Sequence, residues 1–91
     1  MSLTFRVHAV QRMFERRIAV ADVRSALETG ELIEDYAYDA EYPGRLMLGQ
    51  HGTRPLHVVA VDGPAHGATI VVTVYEPDEA QWQPDFKRRR R

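Results

Sequence analysis

Two runs rich in β-branched residues dominate the hydrophobic pattern of the chain. Leu56 to Val61 reads Leu-His-Val-Val-Ala-Val, and Ala68 to Tyr75 reads Ala-Thr-Ile-Val-Val-Thr-Val-Tyr. Between them, Asp62 to Gly67 is dense in turn formers. This pattern predicts an antiparallel hairpin. The second run is apolar on both faces near its middle, which places it inside a sheet that is covered on at least one side. Strict alternation puts Leu56, Val58 and Ala60 with Ile70, Val72 and Val74 towards the core. His57, Val59 and Val61 with Thr69, Val71, Thr73 and Tyr75 take the other face, so His57 is expected near Thr73 and diagonally near Tyr75.

The N-terminal part has a helical period. Phe5 to Arg17 reads as a first helix, with Ala9, Val10, Met13 and Phe14 as its apolar face. His8, Arg12 and Arg16, spaced four apart, line the opposite face. A second helix spans Ala21 to Thr29, with Asp22 in its first turn and Gly30 as its C′ stop. The period then shortens. Leu32 to Tyr36, running on towards Tyr38, and Arg45 to Gln50 read as strands around a loop at Asp39 to Gly44. Trp82 is expected to pack back on the domain from a short terminal segment that also carries Phe86. Two helices followed by four strands on short connections predict an α+β fold: two N-terminal helices packed on a four-stranded antiparallel sheet.

At 91 residues the chain reads as one domain over 1–86, followed by a basic flexible tail over 87–91. It carries no cysteine, which excludes disulfides and thiolate metal ligands, and the histidines lack metal-ligand spacing. No cofactor or metal is therefore expected. There is no leader-like stretch and no run of about 18 apolar residues to cross a membrane. A reducing cytoplasm is compatible with this composition. The net charge of −1 hides an asymmetry: Lys87 to Arg91 are all basic, and every acidic residue lies at or before Asp85. The body is acidic on balance, so a nucleic-acid site has to be a local basic patch, the tail, or both.

The segments His8-Ala9-x-x-Arg12-Met13-x-x-Arg16-x-Ile18, Asp22-Val23, Gly30, Pro55-Leu56-His57-Val58-Val59, Val72-Thr73-Val74-Tyr75-x-Pro77-Asp78 and Trp82 resemble, in order, the uncharacterised bacterial family DUF4258. Its helix–helix–sheet plan looks like the small toxin fold of the RelE and ParE type. The resemblance implies a toxin-like endoribonuclease, or a toxin with another target, neutralised by an antitoxin protein.

Each candidate site has more than one reading. His57 and Tyr75 suit acid–base chemistry on an RNA phosphodiester, with His8 as a further catalytic candidate; a half-buried cross-strand pair is the plainer reading. His8, Arg12 and Arg16 suit a phosphate-binding stripe, or a solvated helix face paired with acids such as Glu15. The tail, with Arg88 and Arg89, suits an RNA tether, a solubilising end, or a partner for the acids Glu31, Glu34, Asp35, Asp39 and Glu41 of a neighbouring subunit. Two functions follow. One is an endoribonuclease using His57 and Tyr75 with arginines on phosphate. The other is a non-catalytic interaction module that self-associates through its sheet, as a homodimer, or binds a partner protein.

Overall fold

The computed structural model describes residues 1–36 and 44–91. The elements are β1 (Ser2–Phe5), α1 (Val7–Arg16), α2 (Val20–Thr29), β2 (Glu31–Asp35), β3 (Gly44–His51), β4 (Arg54–Asp62) and β5 (Ala68–Tyr75). They build one sheet in the order β1-β5-β4-β3-β2. β1 runs parallel to β5, and the other pairs are antiparallel. The expected four-stranded antiparallel sheet of the toxin plan is thus corrected to a five-stranded mixed sheet. The reason lies in Ser2-Leu3-Thr4-Phe5, whose side chains alternate between exposed and half-buried. Phe5 ends this strand instead of opening the helix, and the next N–H, that of Arg6, still bonds the Val71 carbonyl at 3.0 Å. The predicted loop over 39–44 lies outside the described residues except for Gly44, as do Tyr38 and Tyr42.

Both helices cover one face of the sheet. Ala9 and Met13 of α1, Ile18, and Val23 and Ala26 of α2 pack on Leu56, Val58, Val71 and Val74. Val10 and Phe14 do not join this core; they are 51% and 86% exposed, with Val7 beside them. The sheet meets α1 along Ala9 and Met13, so one flank of the predicted apolar face is left turned outward. α2 opens with the Asp22 carboxylate accepting the Ala19 N–H at 3.1 Å, half of a capping box. Gly30 closes it, yet its backbone is extended at φ −74. The glycine is needed for space: an added Cβ would lie 2.5 Å from the Leu48 carbonyl oxygen and closer still to that of Ala26.

Two bulges set which side chains share a face. On β5 the register passes from Val59↔Thr73 to Ala60↔Val71, leaving Val72 unpaired. Val71 therefore turns to the helix side in place of Val72, and Ile70 leaves the expected core set. The same shift brings His57 directly opposite Tyr75, not Thr73. On β2 the register skips Ile33, so Glu31 pairs with Leu48 and Glu34 with Leu46. Cross-strand partners lie on one face. Glu31, Leu48, His57 and Tyr75 therefore form one row across the sheet, and Glu34, Leu46, Val59 and Thr73 the next, both on the face away from the helices.

That second face is covered by the C-terminal segment. Trp82 is 2% exposed, and its ring meets His57 edge-on at 4.5 Å. The middle strand β4 is thus enclosed on both sides at Leu56-His57-Val58, all fully buried.

Candidate functional site

β1 pairs with β5 only as far as Val71, and α1 runs beside the rest of the strand. A groove of about 320 Å³ forms there, lined by His8, Arg12 and Arg16 on one side and by Thr73, Val74, Tyr75 and Glu76 on the other. Spacing of four keeps the three α1 side chains on one flank of the helix. Among the described residues, Arg12 makes only an exposed contact to Glu15 at 3.5 Å. The one carboxylate lining the groove, Glu76, is tied down by Arg54 at 3.0 Å and His51 at 3.3 Å. Burial alone would raise its pKa, but these two partners outweigh that and hold the carboxyl below its usual range. The groove therefore offers the Arg12 and Arg16 guanidinium groups to an anion, Arg12 at the expense of a long, exposed and weak contact to Glu15.

His57 lies behind the groove, fully buried. Its Nε2 is 2.8 Å from the Phe86 carbonyl oxygen and its Nδ1 is 3.2 Å from the Tyr75 hydroxyl. A carbonyl only accepts, so Nε2 carries the proton and Nδ1 accepts from the Tyr75 hydroxyl. Burial lowers the His57 pKa from its ordinary value and raises that of Tyr75. Both shifts keep the ring neutral and the phenol protonated. A general base must reach the proton it takes, and in this arrangement neither His57 nitrogen is open to a substrate. Nearby, Tyr36 donates to Glu34, and burial followed by this carboxylate pushes its pKa to about 12.

The tail residues lie against the acids of β2. Lys87 pairs with Glu31 at 3.0 Å and Arg89 with Glu34 at 3.3 Å, while Arg89 stacks over Trp82 at 4.6 Å. Arg88 pairs with Asp85 at 3.0 Å. Of the acids expected to receive the tail of a neighbouring subunit, Glu31 and Glu34 thus receive it within one chain, while Asp39 and Glu41 lie outside the described residues.

Of the predicted site residues, the structure brings His8, Arg12, Arg16 and Tyr75 to one groove. It sets His57 behind them, and Arg88 and Arg89 over the second face. The sequence reading missed Phe86, Tyr36 and Glu34 as neighbours of the His57–Tyr75 pair. The acidic run at Glu31, Glu34 and Asp35 was visible, but only the bulge at Ile33 turns Glu34 to the correct face. Among the described residues, no group of three or more His, Asp or Glu side chains is placed to hold a metal ion, and no helix is long and apolar enough to cross a membrane.

The profile of a family described as a domain of unknown function, DUF4258, matches residues 5–76. The chain belongs to this family. No curated protein and no solved structure matches the chain. His8, Arg12, Arg16, His57 and Tyr75 fall inside the DUF4258 match, whereas Trp82 and Lys87 to Arg91 fall beyond it. The DUF4258 core thus supplies the groove and His57, and the segment after it supplies the cover.

Burial of His57 gives the domain a defined pH response. The folded pKa lies below the unfolded value near 6.5, so on acidification the unfolded chain takes up a proton first. Stability is complete above about pH 6.5 and falls below it, by up to about 1.4 kcal/mol per pH unit, until the folded ring titrates. Glu76 and Asp85, both held low, act in the same direction but only nearer pH 4. Urea midpoints should therefore drop between pH 6.5 and pH 5.5, and His57→Gln should flatten that drop. An equal drop in the variant would place its origin elsewhere.

Proposed function

We propose that the protein binds RNA, with the phosphodiester backbone held in the groove between α1 and the end of β5. The observation that carries this reading is the alignment of His8, Arg12 and Arg16 along one groove whose single carboxylate is already engaged. Guanidinium groups give charge-assisted, bidentate contacts to phosphate. For a cleavage reaction of the toxin type, proton transfer falls to His8. Its imidazole takes the 2′-hydroxyl proton as that oxygen attacks the adjacent phosphorus; the bond to the 5′-oxygen breaks, leaving a 2′,3′-cyclic phosphate, the 5′-oxygen takes a proton from water, and Arg12 and Arg16 offset the charge on the pentavalent phosphorus. His57 holds Tyr75 and Phe86 in place instead.

A second reading rests on the other flank of α1. Val7, Val10 and Phe14 form an exposed apolar stripe, the surface that a self-associating interaction module would use. One set of measurements separates the two. Arg12→Ala and Arg16→Ala are each expected to weaken binding of single-stranded RNA by roughly tenfold and to lower the salt slope by about 0.7. His8→Ala should abolish cleavage while leaving binding within a few-fold. Phe14→Ala should leave RNA binding unchanged. RNA affinity equal to wild type in both arginine variants would remove the RNA reading, and a dimer lost in Phe14→Ala would establish the other.

A further inference from the structure

The chain after Pro77 folds into a small hairpin that lies on the second face of the sheet. Gln83 N–H bonds the Arg88 carbonyl and Arg90 N–H bonds the Gln81 carbonyl, both at 2.8 Å, with Trp82 bridged to Arg89. Asp85 closes the tip, accepting from the Lys87 N–H at 3.0 Å and from Arg88. Next to it Phe86 has φ 58, a left-handed backbone that a side chain other than glycine adopts at a cost. This strained residue is the one whose carbonyl accepts the hydrogen bond from His57 Nε2–H.

The attachments of the tip to the sheet are few. Among the described residues, the attachments apart from the Phe86–His57 bond are two ion pairs, Lys87–Glu31 and Arg89–Glu34, whose basic partners are substantially exposed. Such pairs contribute little and exchange readily. The outer surface has the opposite character. Arg88, Arg89, Arg90 and Arg91 line a cleft of about 670 Å³ with Gln83. Arg88 is paired with Asp85 and Arg89 with Glu34, both through exposed guanidinium groups, so the cleft is basic but partly screened, and a ligand with several closely spaced negative charges competes for these arginines with the two carboxylates.

We propose that this hairpin is a polyanion-binding strap: a chain of phosphates seated on Arg88 to Arg91 draws Lys87 and Arg89 away from Glu31 and Glu34, lifts Phe86 from His57, and uncovers the His57–Tyr75 row. The ligand chemistry is a linear run of phosphates, as in an RNA backbone or inorganic polyphosphate. The site is separate from the α1 groove and does not depend on it. Opening would give His57 Nε2 access to solvent on the side of the sheet that Tyr75 shares.

Trp82 is the only tryptophan and lies between His57 and Arg89, so its fluorescence reports the strap directly. The experiment titrates the Arg12→Ala/Arg16→Ala double variant, which disables the groove, with oligouridylate in one arm and inorganic polyphosphate in the other. Both ligands are expected to shift Trp82 emission to the red and to increase its quenching by acrylamide. Raising salt from about 50 to about 200 mM should weaken binding by roughly 50-fold if four phosphates are engaged on a single-strand slope. Arg88→Gln/Arg89→Gln should lose the response. Glu31→Gln/Glu34→Gln should show raised quenching without ligand and bind tighter. Binding that leaves Trp82 quenching unchanged, or a response to oligouridylate alone, would overturn the proposal. Loss of RNA binding by Arg12→Ala in the otherwise native chain is read separately, so failure of the groove and failure of the strap are distinguishable.

Discussion

Replacing Trp82 with alanine is expected to cost about 3–5 kcal/mol, the range for truncating a buried aromatic. A domain of this size is stable by roughly 5–14 kcal/mol, so about a fifth of its stability or more would go. Each kcal/mol lowers Tm by about 4–8 °C in a chain of this length, which makes a fall on the order of 20 °C the expected scanning result. The size follows from what the indole touches. It is 2% exposed, meets the His57 ring edge-on and lies beneath the Arg89 guanidinium. Truncation opens a void beside a histidine whose hydrogen bond to the Phe86 carbonyl depends on the same cover. Trp82→Phe should retain most of the stability. A Tm within a few degrees of wild type in Trp82→Ala would mean that the segment after Pro77 adds little to the folded domain.

The second large effect is expected at Gly49. This residue has no unusual backbone requirement; its absent side chain is what lets α2 approach β3. A Cβ there would lie 2.8 Å from the Ala26 Cα and closer still to its Cβ. The obstacle is helix backbone, which cannot rotate aside as a long side chain can. Gly49→Ala is expected to destabilise by about 1–3 kcal/mol through overpacking. The companion Ala26→Gly should recover part of the packing loss despite its helix-propensity cost of about 1 kcal/mol. Chemical denaturation of the single and double variants tests this. Simple additivity of the two losses would show that the residues do not share the contact.

Much of the fold was legible in local patterns. The hairpin from Leu56 to Tyr75, the stop of α2 at Gly30 and the return of Trp82 all follow from periodicity and residue type. What escaped was non-local. Ser2 to Phe5 carries a strand's alternation, but so short a segment acquires meaning only beside β5, and Phe5 fits a helical period equally well. Val10 and Phe14 continue the apolar spacing of Ala9 and Met13, and only the position of the sheet shows that one flank stays bare. The bulge at Val72 cannot be read from a run in which every residue suits a strand. At the site, the arginine stripe was visible from its spacing. The enclosure of His57 was not, because Phe86 reaches it from a distant part of the chain.

The parallel pairing of β1 with β5 has a consequence for how the molecule is made. Ser2 pairs with Ala68 and Phe5 with Val71, so β1 leaves a ribosome before the rest of this sheet and finds its partner only when β5 has also emerged. Until then Leu3 and Phe5 have no sheet to join. Closing so long a loop is entropically slow, and domains ruled by such distant contacts fold more slowly than those built from neighbours. The hairpin of β4 and β5 can form locally, but β1 joins it late. Assembly of the sheet is therefore expected to wait for β5, with β1 docking as the closing step.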